Sequence, residues 1–509
     1  MSEAIQSASV LEGDLQIGAD VVVIGSGAGG AVVGAELAEA GQDVVFLEEG
    51  PHVPPERYGK MRPSETMRHM WRDGGLTVAV GLGDTPVINV MMGSCVGGSS
   101  VLTGAVCFRI PGSVLREWEL DHGLSGLTER AMEPCFQAVE RGIHVEEVPA
   151  KMRSRSTNLF LEGAEKLGLA WKPLKRNTKD CNGCGRCNFG CPHGAKLSVD
   201  VSFLPRAYAA GARLYADCRV ESITIRGGRA VGVEGRILEG PLRKPKRRFQ
   251  VKARRVVLAA GAYASPLILL QNGIGRSSGQ VGKNLTVHPG FRIMARFDEA
   301  VRGWRGALQS AYSDAYEKDG FNMVGLFIPP GALAGTLPGI GKEHVARART
   351  IPNLAIFGGM IHDQGGGRIQ QIFGRPLMTY RMTPRDRATV PVLMRRMAEI
   401  YFSAGAREVF LPVLGLGPVD RDRLQSIDLE HVPGHALECA SQHPLGTCRM
   451  GVSPQNSVVD PNGQSWDVRE LYVADGSILP TSLGVNPQVS IMSMAMRIAW
   501  HLRDTPLPS

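Results

Sequence analysis

Two short stretches of this chain carry residue types at spacings that do chemistry. The first is VVVIGSGAGG, in which Gly25, Gly27 and Gly30 form G-S-G-A-G-G between an apolar run and a helix-like segment. In such a turn the first glycine permits the tight bend, the second lets a pyrophosphate approach the backbone, and the third lets helix and strand pack closely. The pyrophosphate then meets the free N–H groups and positive dipole end of the helix. Glu48 ends the next apolar run, FLEEG, at the distance where an acid holds ribose hydroxyls. Strand, helix and acid agree, so the stretch reads as a dinucleotide site rather than a bare strand–helix turn. The acid does not by itself separate NAD from FAD.

The second stretch is CNGCGRCNFGCP, where Cys181, Cys184, Cys187 and Cys191 make C-x2-C-x2-C-x3-C-P. That is the bacterial ferredoxin ligand spacing, and Gly183 and Gly185 allow the sharp turns it needs. The fourth cysteine of a ferredoxin run serves a second cluster, however, and only one run exists here. An iron–sulfur cluster, zinc, disulfides and buried free thiols all stay open on spacing alone. The remaining six of the 10 cysteines are scattered, which is not the layout of a secreted disulfide scaffold.

The elements that must position these residues follow from the pattern around them. DVVVIG reads as a buried strand, AVVGAELAEAG as a helix and DVVFLEEG as a second strand, a β-turn-α-β unit opening an α/β domain. The next 30 or so residues are rich in proline and charge and read as loop, followed by the glycine- and serine-dense GSCVGGSSVLTG. A helical region is expected from about 114 to 170, with the cysteine run in a loop before VSFLPRAYAAG. Residues 214–261 read as a meander and a further strand–turn–helix returning to the first domain. Residues 290–434 carry strand-like pieces and a long helix near 389–404, as a second, substrate-side domain would. No internal repeat or low-complexity segment is visible.

With 509 residues, 43% apolar and 21% charged, the chain has ample material for a core and the size of about three domain-sized units. Much of its formal charge of +8 lies between Arg236 and Arg255, which hold nine Lys and Arg. Flanking strand-like segments favour a solvated hairpin over a docking patch, and only Phe249 interleaves the charges, so nucleic-acid binding is not expected. No run of 18 apolar residues predicts a membrane span, and the first twenty residues lack a signal core. The cytoplasm is the expected location, with export on a signal-bearing partner left open.

Several segments together resemble the glucose-methanol-choline (GMC) oxidoreductases. They are VVVIGSGAGG with FLEEG, GSCVGGSSVLTG, VVLAAGAYASPLILLQNGIG, VGKNLTVHP, HPLGTCRMG and LYVADGSILPTSLGVNPQVSIMSMAMRIA. They run in the family's order from residue 20 to residue 500. The C-terminal block is most similar to the long-chain alcohol oxidase and cholesterol oxidase branches. The resemblance implies an α/β fold with a discontinuous Rossmann-type FAD domain (16–112, 205–289 and 435–509). A sheet-based substrate region (113–204 and 290–434) would include the cysteine loop 181–192.

The resemblance also implies roles. Gly25, Gly27, Gly30 and Glu48 would hold the ADP half of FAD, Gly97, Gly98 and Ser99 would line the pyrophosphate and flavin, and Val220 would contact the adenine. Asp475 and Gly476 would sit beside the ribityl chain and isoalloxazine. Thr103 stands where the family often has Asn. His443 matches the active-site histidine, whose ordinary pKa of about 6.5 suits a base taking the hydroxyl proton of an alcohol. Asn486 matches the second polar residue, an amide that donates to the substrate oxygen. Pro487 then opens an apolar helix whose N-terminal dipole would favour the reduced ring, and His288 reads as structural.

The implied activity is oxidation of a primary or secondary alcohol, bulky or apolar by the nearest branches, with hydride passing to FAD. Some bacterial glucose dehydrogenases of this family carry an iron–sulfur cluster, which would relay electrons to a cytochrome or ferredoxin. Without a cluster, dioxygen or a quinone would reoxidise the flavin. A flavin-dependent lyase or decarboxylase and an electron-transfer subunit are the competing readings.

Overall fold

The apolar run Val21–Ile24 is β-branched and fully enclosed, as a central strand covered on both faces requires. It ends strand Leu15–Ile24, which pairs in parallel with Val44–Leu47 on one side and Lys244–Leu258 on the other. Helix Ala28–Glu39 makes the crossover between Leu15–Ile24 and Val44–Leu47. The structure, a computed structural model, describes residues 4–508 apart from Glu12 and Pro241.

The first sheet has eight strands. From one edge they run Ile5–Gln6, Arg213–Tyr215, Val44–Leu47, Leu15–Ile24, Lys244–Leu258, Arg229–Glu239 and Cys218–Arg226. The short strand Leu471–Val473 pairs in parallel with the C-terminal end of Lys244–Leu258, beyond the reach of Arg229–Glu239. Segments from the start, middle and end of the chain thus share one sheet. One apolar core joins them to helix Gln488–Asp504, which packs on Ala28–Glu39.

The basic stretch is a hairpin, Arg229–Glu239 against Lys244–Leu258. Several of its charges find partners: Arg243 meets Asp217 at 2.7 Å and Arg247 meets Glu239 at 2.6 Å. Arg255, wholly buried, meets Glu470 at 3.1 Å and donates to the carbonyls of Leu502, Thr505 and Pro506.

The second sheet has eleven strands, with Gly290–Arg296 and Leu354–Ile361 at its centre. Helices Pro384–Ser403 and Arg155–Lys166 cover one of its faces. It also takes in Val78–Gly81, Ile88–Val90 and Cys439–Ser441, from stretches that the sequence reading placed in the FAD unit. The expected helical region resolves into Gly112–His122, Glu129–Gly142 and Arg155–Lys166.

Two expectations are corrected. The stretch read as loop after residue 50 contains helix Pro63–Met70, started by proline at its first position and by Glu65, whose carboxylate accepts from the Arg62 amide at 2.7 Å. The helix expected near 389–404 begins at Pro384, because the Thr383 hydroxyl caps it by accepting from the Asp386 amide at 3.1 Å. Among the described residues, no helix is long and apolar enough to cross a membrane.

Candidate active site and dinucleotide cradle

The glycine turn sits between the end of strand Leu15–Ile24 and the start of helix Ala28–Glu39. Gly25 holds φ at 98°, and a side chain there would strike the Ala259 carbonyl oxygen at 2.4 Å. Gly30 packs on the Gly25 carbonyl in the same way. Gly27 differs, because a Cβ on it would meet nothing nearer than the Gly98 Cα at 3.9 Å. No protein atom requires glycine there, and the space in front of the turn is open to a ligand. The helix N-terminus has no side-chain cap, so its first N–H groups stay free for an anion.

Glu48 is buried. Its carboxylate accepts from the Ser26 amide (2.9 Å), the Ser26 hydroxyl (2.7 Å) and the Gly50 amide (2.8 Å). Burial outweighs these bonds and pushes its pKa up. The Ser26 hydroxyl also accepts from the Gly97 amide at 3.1 Å, so Ser26 ties the turn, the acid and the Gly97–Ser99 segment together. The sequence reading passed over Ser26, although its position inside the glycine motif is the available signal.

Gly97 and Gly98 have φ of 88° and 55°, and the Ser99 hydroxyl accepts from the Gly93 amide at 3.0 Å. Val220 lies buried in Cys218–Arg226, where the pairing register shifts between Val220 and Ser222. Asp475 is enclosed, accepting from the Gly261 amide (2.8 Å), the Ser265 hydroxyl (2.5 Å) and the Ser477 amide (2.8 Å). It thereby caps the turn Gly476–Ile478, and burial raises its pKa. Thr103 donates to the Gln488 side chain at 3.3 Å.

His443 follows strand Cys439–Ser441, and its amide donates to the Ser441 hydroxyl at 3.0 Å. Thr286 and Leu445 exchange backbone hydrogen bonds, which draws His288 and His443 side by side with ring centroids 5.3 Å apart. Asn486 precedes helix Gln488–Asp504, and its Nδ2 lies 3.1 Å from His443 Nε2. With Nε2 accepting from the amide, the imidazole proton sits on Nδ1. His443 Nδ1 and Asn486 Oδ1 are buried without a protein partner. Pro487 is the cap residue rather than the first helical one, and Asn486 makes no capping bond.

Burial, with His288 adding to it and Asp363 opposing, lowers the His443 pKa to about 3. Burial does the same for His288. His288 Nε2 accepts from the Leu483 amide (3.0 Å) and the Gly484 amide (3.1 Å), as expected of a structural histidine. Asp363, His362, Asn322 and Ser482 also converge here; no motif marked the first three in the sequence, and Ser482 lies unassigned inside the LYVADGSILPTSLGVNP segment.

The cysteine run is docked on the segment after Gly98. Buried Arg176 donates to the Gly104 carbonyl at 3.0 Å and to the Cys187 sulfur at 2.9 Å. Lys196 donates to the carbonyls of Val101 (2.6 Å), Thr103 (3.0 Å) and Cys187 (2.9 Å). All four thiols are free. Cys187 and Cys191 are buried, Cys181 is half-buried and Cys184 is exposed. Among the described residues, no group of three or more His, Cys, Asp or Glu side chains is placed to hold a metal ion. The possible iron–sulfur site at Cys181, Cys184, Cys187 and Cys191 thus finds no support among the described residues, and the Cys187 sulfur accepts from Arg176.

The family model described as GMC oxidoreductase matches residues 20–290 with its N-terminal part and 372–495 with its C-terminal part. An uncharacterized GMC-type oxidoreductase of Mycobacterium tuberculosis is 37% identical over 483 residues, covering 94% of this chain and 75% of the relative. A long-chain-alcohol oxidase of Arabidopsis thaliana is 28% identical over 533 residues, covering 96% and 68%. Among solved structures, pyridoxine 4-oxidase from Mesorbium loti superposes with a TM-score of 0.73 at 19% identity, covering 95% of this chain and 99% of that one. A formate oxidase of Aspergillus oryzae, studied for modification of its FAD, gives 0.71 at 15% identity, covering 96% and 98%. With both family regions matched in order and a relative of this identity along nearly the whole chain, the protein belongs to the GMC oxidoreductase family.

Proposed function

We propose that the protein binds FAD and oxidises a primary or secondary alcohol to the carbonyl, with His443 as base and Asn486 as the donor that holds the substrate oxygen. The observation that carries this reading is the 3.1 Å contact between Asn486 Nδ2 and His443 Nε2, in a chain that also forms an open glycine cradle. FAD fits that cradle. The free helix N-terminus would take its pyrophosphate, Glu48 its ribose, Val220 its adenine, and the segments at Gly97–Ser99 and Asp475–Gly476 its flavin half. When bound, FAD supplies the acceptor for the hydride.

The side chains account for the proton. Asn486 can donate to the hydroxyl oxygen of an alcohol entering between the two groups, while the free electron pair on His443 Nε2 accepts its proton. Burial keeps the imidazole neutral and ready to accept over the ordinary pH range. A base held this low needs its protonated form stabilised as the proton arrives, and the negative charge of Asp363 acts in that direction.

Similarity to long-chain-alcohol oxidases supports a bulky or apolar alcohol. Among the described residues no cluster of potential metal ligands is formed, so an iron–sulfur relay finds no support. Anaerobic titration of the yellow protein with a panel of alcohols tests the reading, which predicts bleaching of the flavin bands by at least one apolar alcohol. A flavin that stays oxidised with every alcohol offered would contradict it.

A further inference from the structure

Asp363 is a buried carboxylate with four donors on its two oxygens. Oδ2 accepts from the Val287 amide at 3.0 Å and the Tyr380 hydroxyl at 2.5 Å. Oδ1 accepts from the His288 amide at 3.1 Å and the Ser482 hydroxyl at 2.8 Å. These donors belong to three separate stretches of chain. One, Val287–His288, runs beside the His443 segment. Another, at Ser482, lies four residues before Asn486.

The turn Ser482–Gly484 is gripped from several sides. His288 accepts from the Leu483 and Gly484 amides, Asn322 Nδ2 donates to the Gly484 carbonyl at 3.1 Å, and the His362 ring meets the Ser482 carbonyl at 3.1 Å. Regular structure does not hold this turn, because Gly484 has φ of 68° and the helix begins only at Gln488. The Asn486 side chain makes one contact, Nδ2 to His443 Nε2, and its Oδ1 has no protein partner. The side chains that grip the turn hold the backbone that leads into Asn486.

We propose that Asp363 is a positioning residue of this site, acting through Ser482 and His288 on the turn that carries Asn486. The proposal rests on the reading of Asn486 as the group that holds the substrate oxygen. A carboxylate suits the task because it accepts all four bonds at once. An asparagine would have to point its NH2 at two of the four donors. Lost alignment at a reacting centre costs rate steeply, by roughly 100-fold for a displacement of 1 Å.

The test uses the FAD-loaded protein and two variants, Asp363→Asn and Ser482→Ala; the second removes one bond and is the milder. Amide hydrogen exchange at Leu483 and Gly484 reads the turn directly, and both variants are expected to speed it. Anaerobic flavin reduction by 1-decanol reads the consequence. Ser482→Ala is expected to slow the limiting rate roughly 10- to 100-fold with KM little changed, and to cost no more than about twofold when Asn486 is already alanine. Unchanged exchange in both variants, or an equal rate loss with and without the Asn486 amide, would overturn the proposal. If 1-decanol fails to reduce the wild-type flavin, the functional reading fails for this alcohol, and the exchange result alone then decides whether Asp363 holds the turn.

Discussion

The carbonyl oxygen of Ala474 occupies the space that a side chain on Gly29 would need, 1.8 Å from where its Cβ would stand. The first helix of the chain therefore lies against the backbone just before Asp475, 445 residues later in sequence.

Neighbouring glycines should consequently fail in different ways. Gly29→Ala forces backbone apart in a packed core and should lower stability by about 1–3 kcal/mol. Gly27→Ala meets only an ordinary contact with the Gly98 Cα at 3.9 Å and should leave the stability of the FAD-free protein within about 0.5 kcal/mol while weakening FAD retention. Thermal unfolding of both apoproteins, with FAD titration followed by flavin fluorescence, separates the two effects.

The buried Arg255 carries a second structural prediction. Its guanidinium joins the first sheet to Glu470 and to the last turn of the C-terminal helix, whose other end follows Asn486. Arg255→Ala leaves Glu470 and three carbonyls without their donor and should destabilise the protein by about 3–5 kcal/mol. Urea unfolding checks this, and a loss below 1 kcal/mol would show that the contact is dispensable.

Stability should fall as pH drops below neutrality. Burial lowers the pKa of His288 and of His443 to about 3, against an ordinary value of about 6.5. Between these values the unfolded chain binds protons that the folded protein refuses. The histidines' contribution is complete above about pH 6.5 and is lost as pH falls toward 3, by up to about 1.4 kcal/mol per pH unit for each ring. Urea unfolding at pH 7, 6 and 5 should show the decline, and His443→Gln should remove about half of it. The kcat/KM of the wild type should show no histidine ionisation between pH 5 and 8.

Local patterns in the chain were enough to reveal the cradle, because a strand, a glycine turn, a helix and Glu48 all lie within thirty residues. His443 and Asn486 were legible only through resemblance, since nothing local marks a histidine or an asparagine as facing its partner 43 residues away. Asp363, His288 and Ser482 escaped a functional reading because their relation arises from side-chain bonds between distant segments and carries no spacing of its own. The cysteine run shows the limit of a local pattern. Its ferredoxin-like spacing is local and conspicuous, yet the folded loop holds Cys187 against Arg176 and leaves Cys184 in solvent. The second sheet drew strands such as Val78–Gly81 from a stretch read as loop, because short strands in proline-rich sequence lack the alternation that reveals longer ones.

The base assignment is tested most directly by stopped-flow reduction of FAD-loaded wild type and His443→Ala with an apolar primary alcohol under anaerobic conditions. The account predicts rapid bleaching of the wild-type flavin and a loss of roughly 100- to 10,000-fold in the variant, with FAD still bound. Reduction of His443→Ala at the wild-type rate would contradict it.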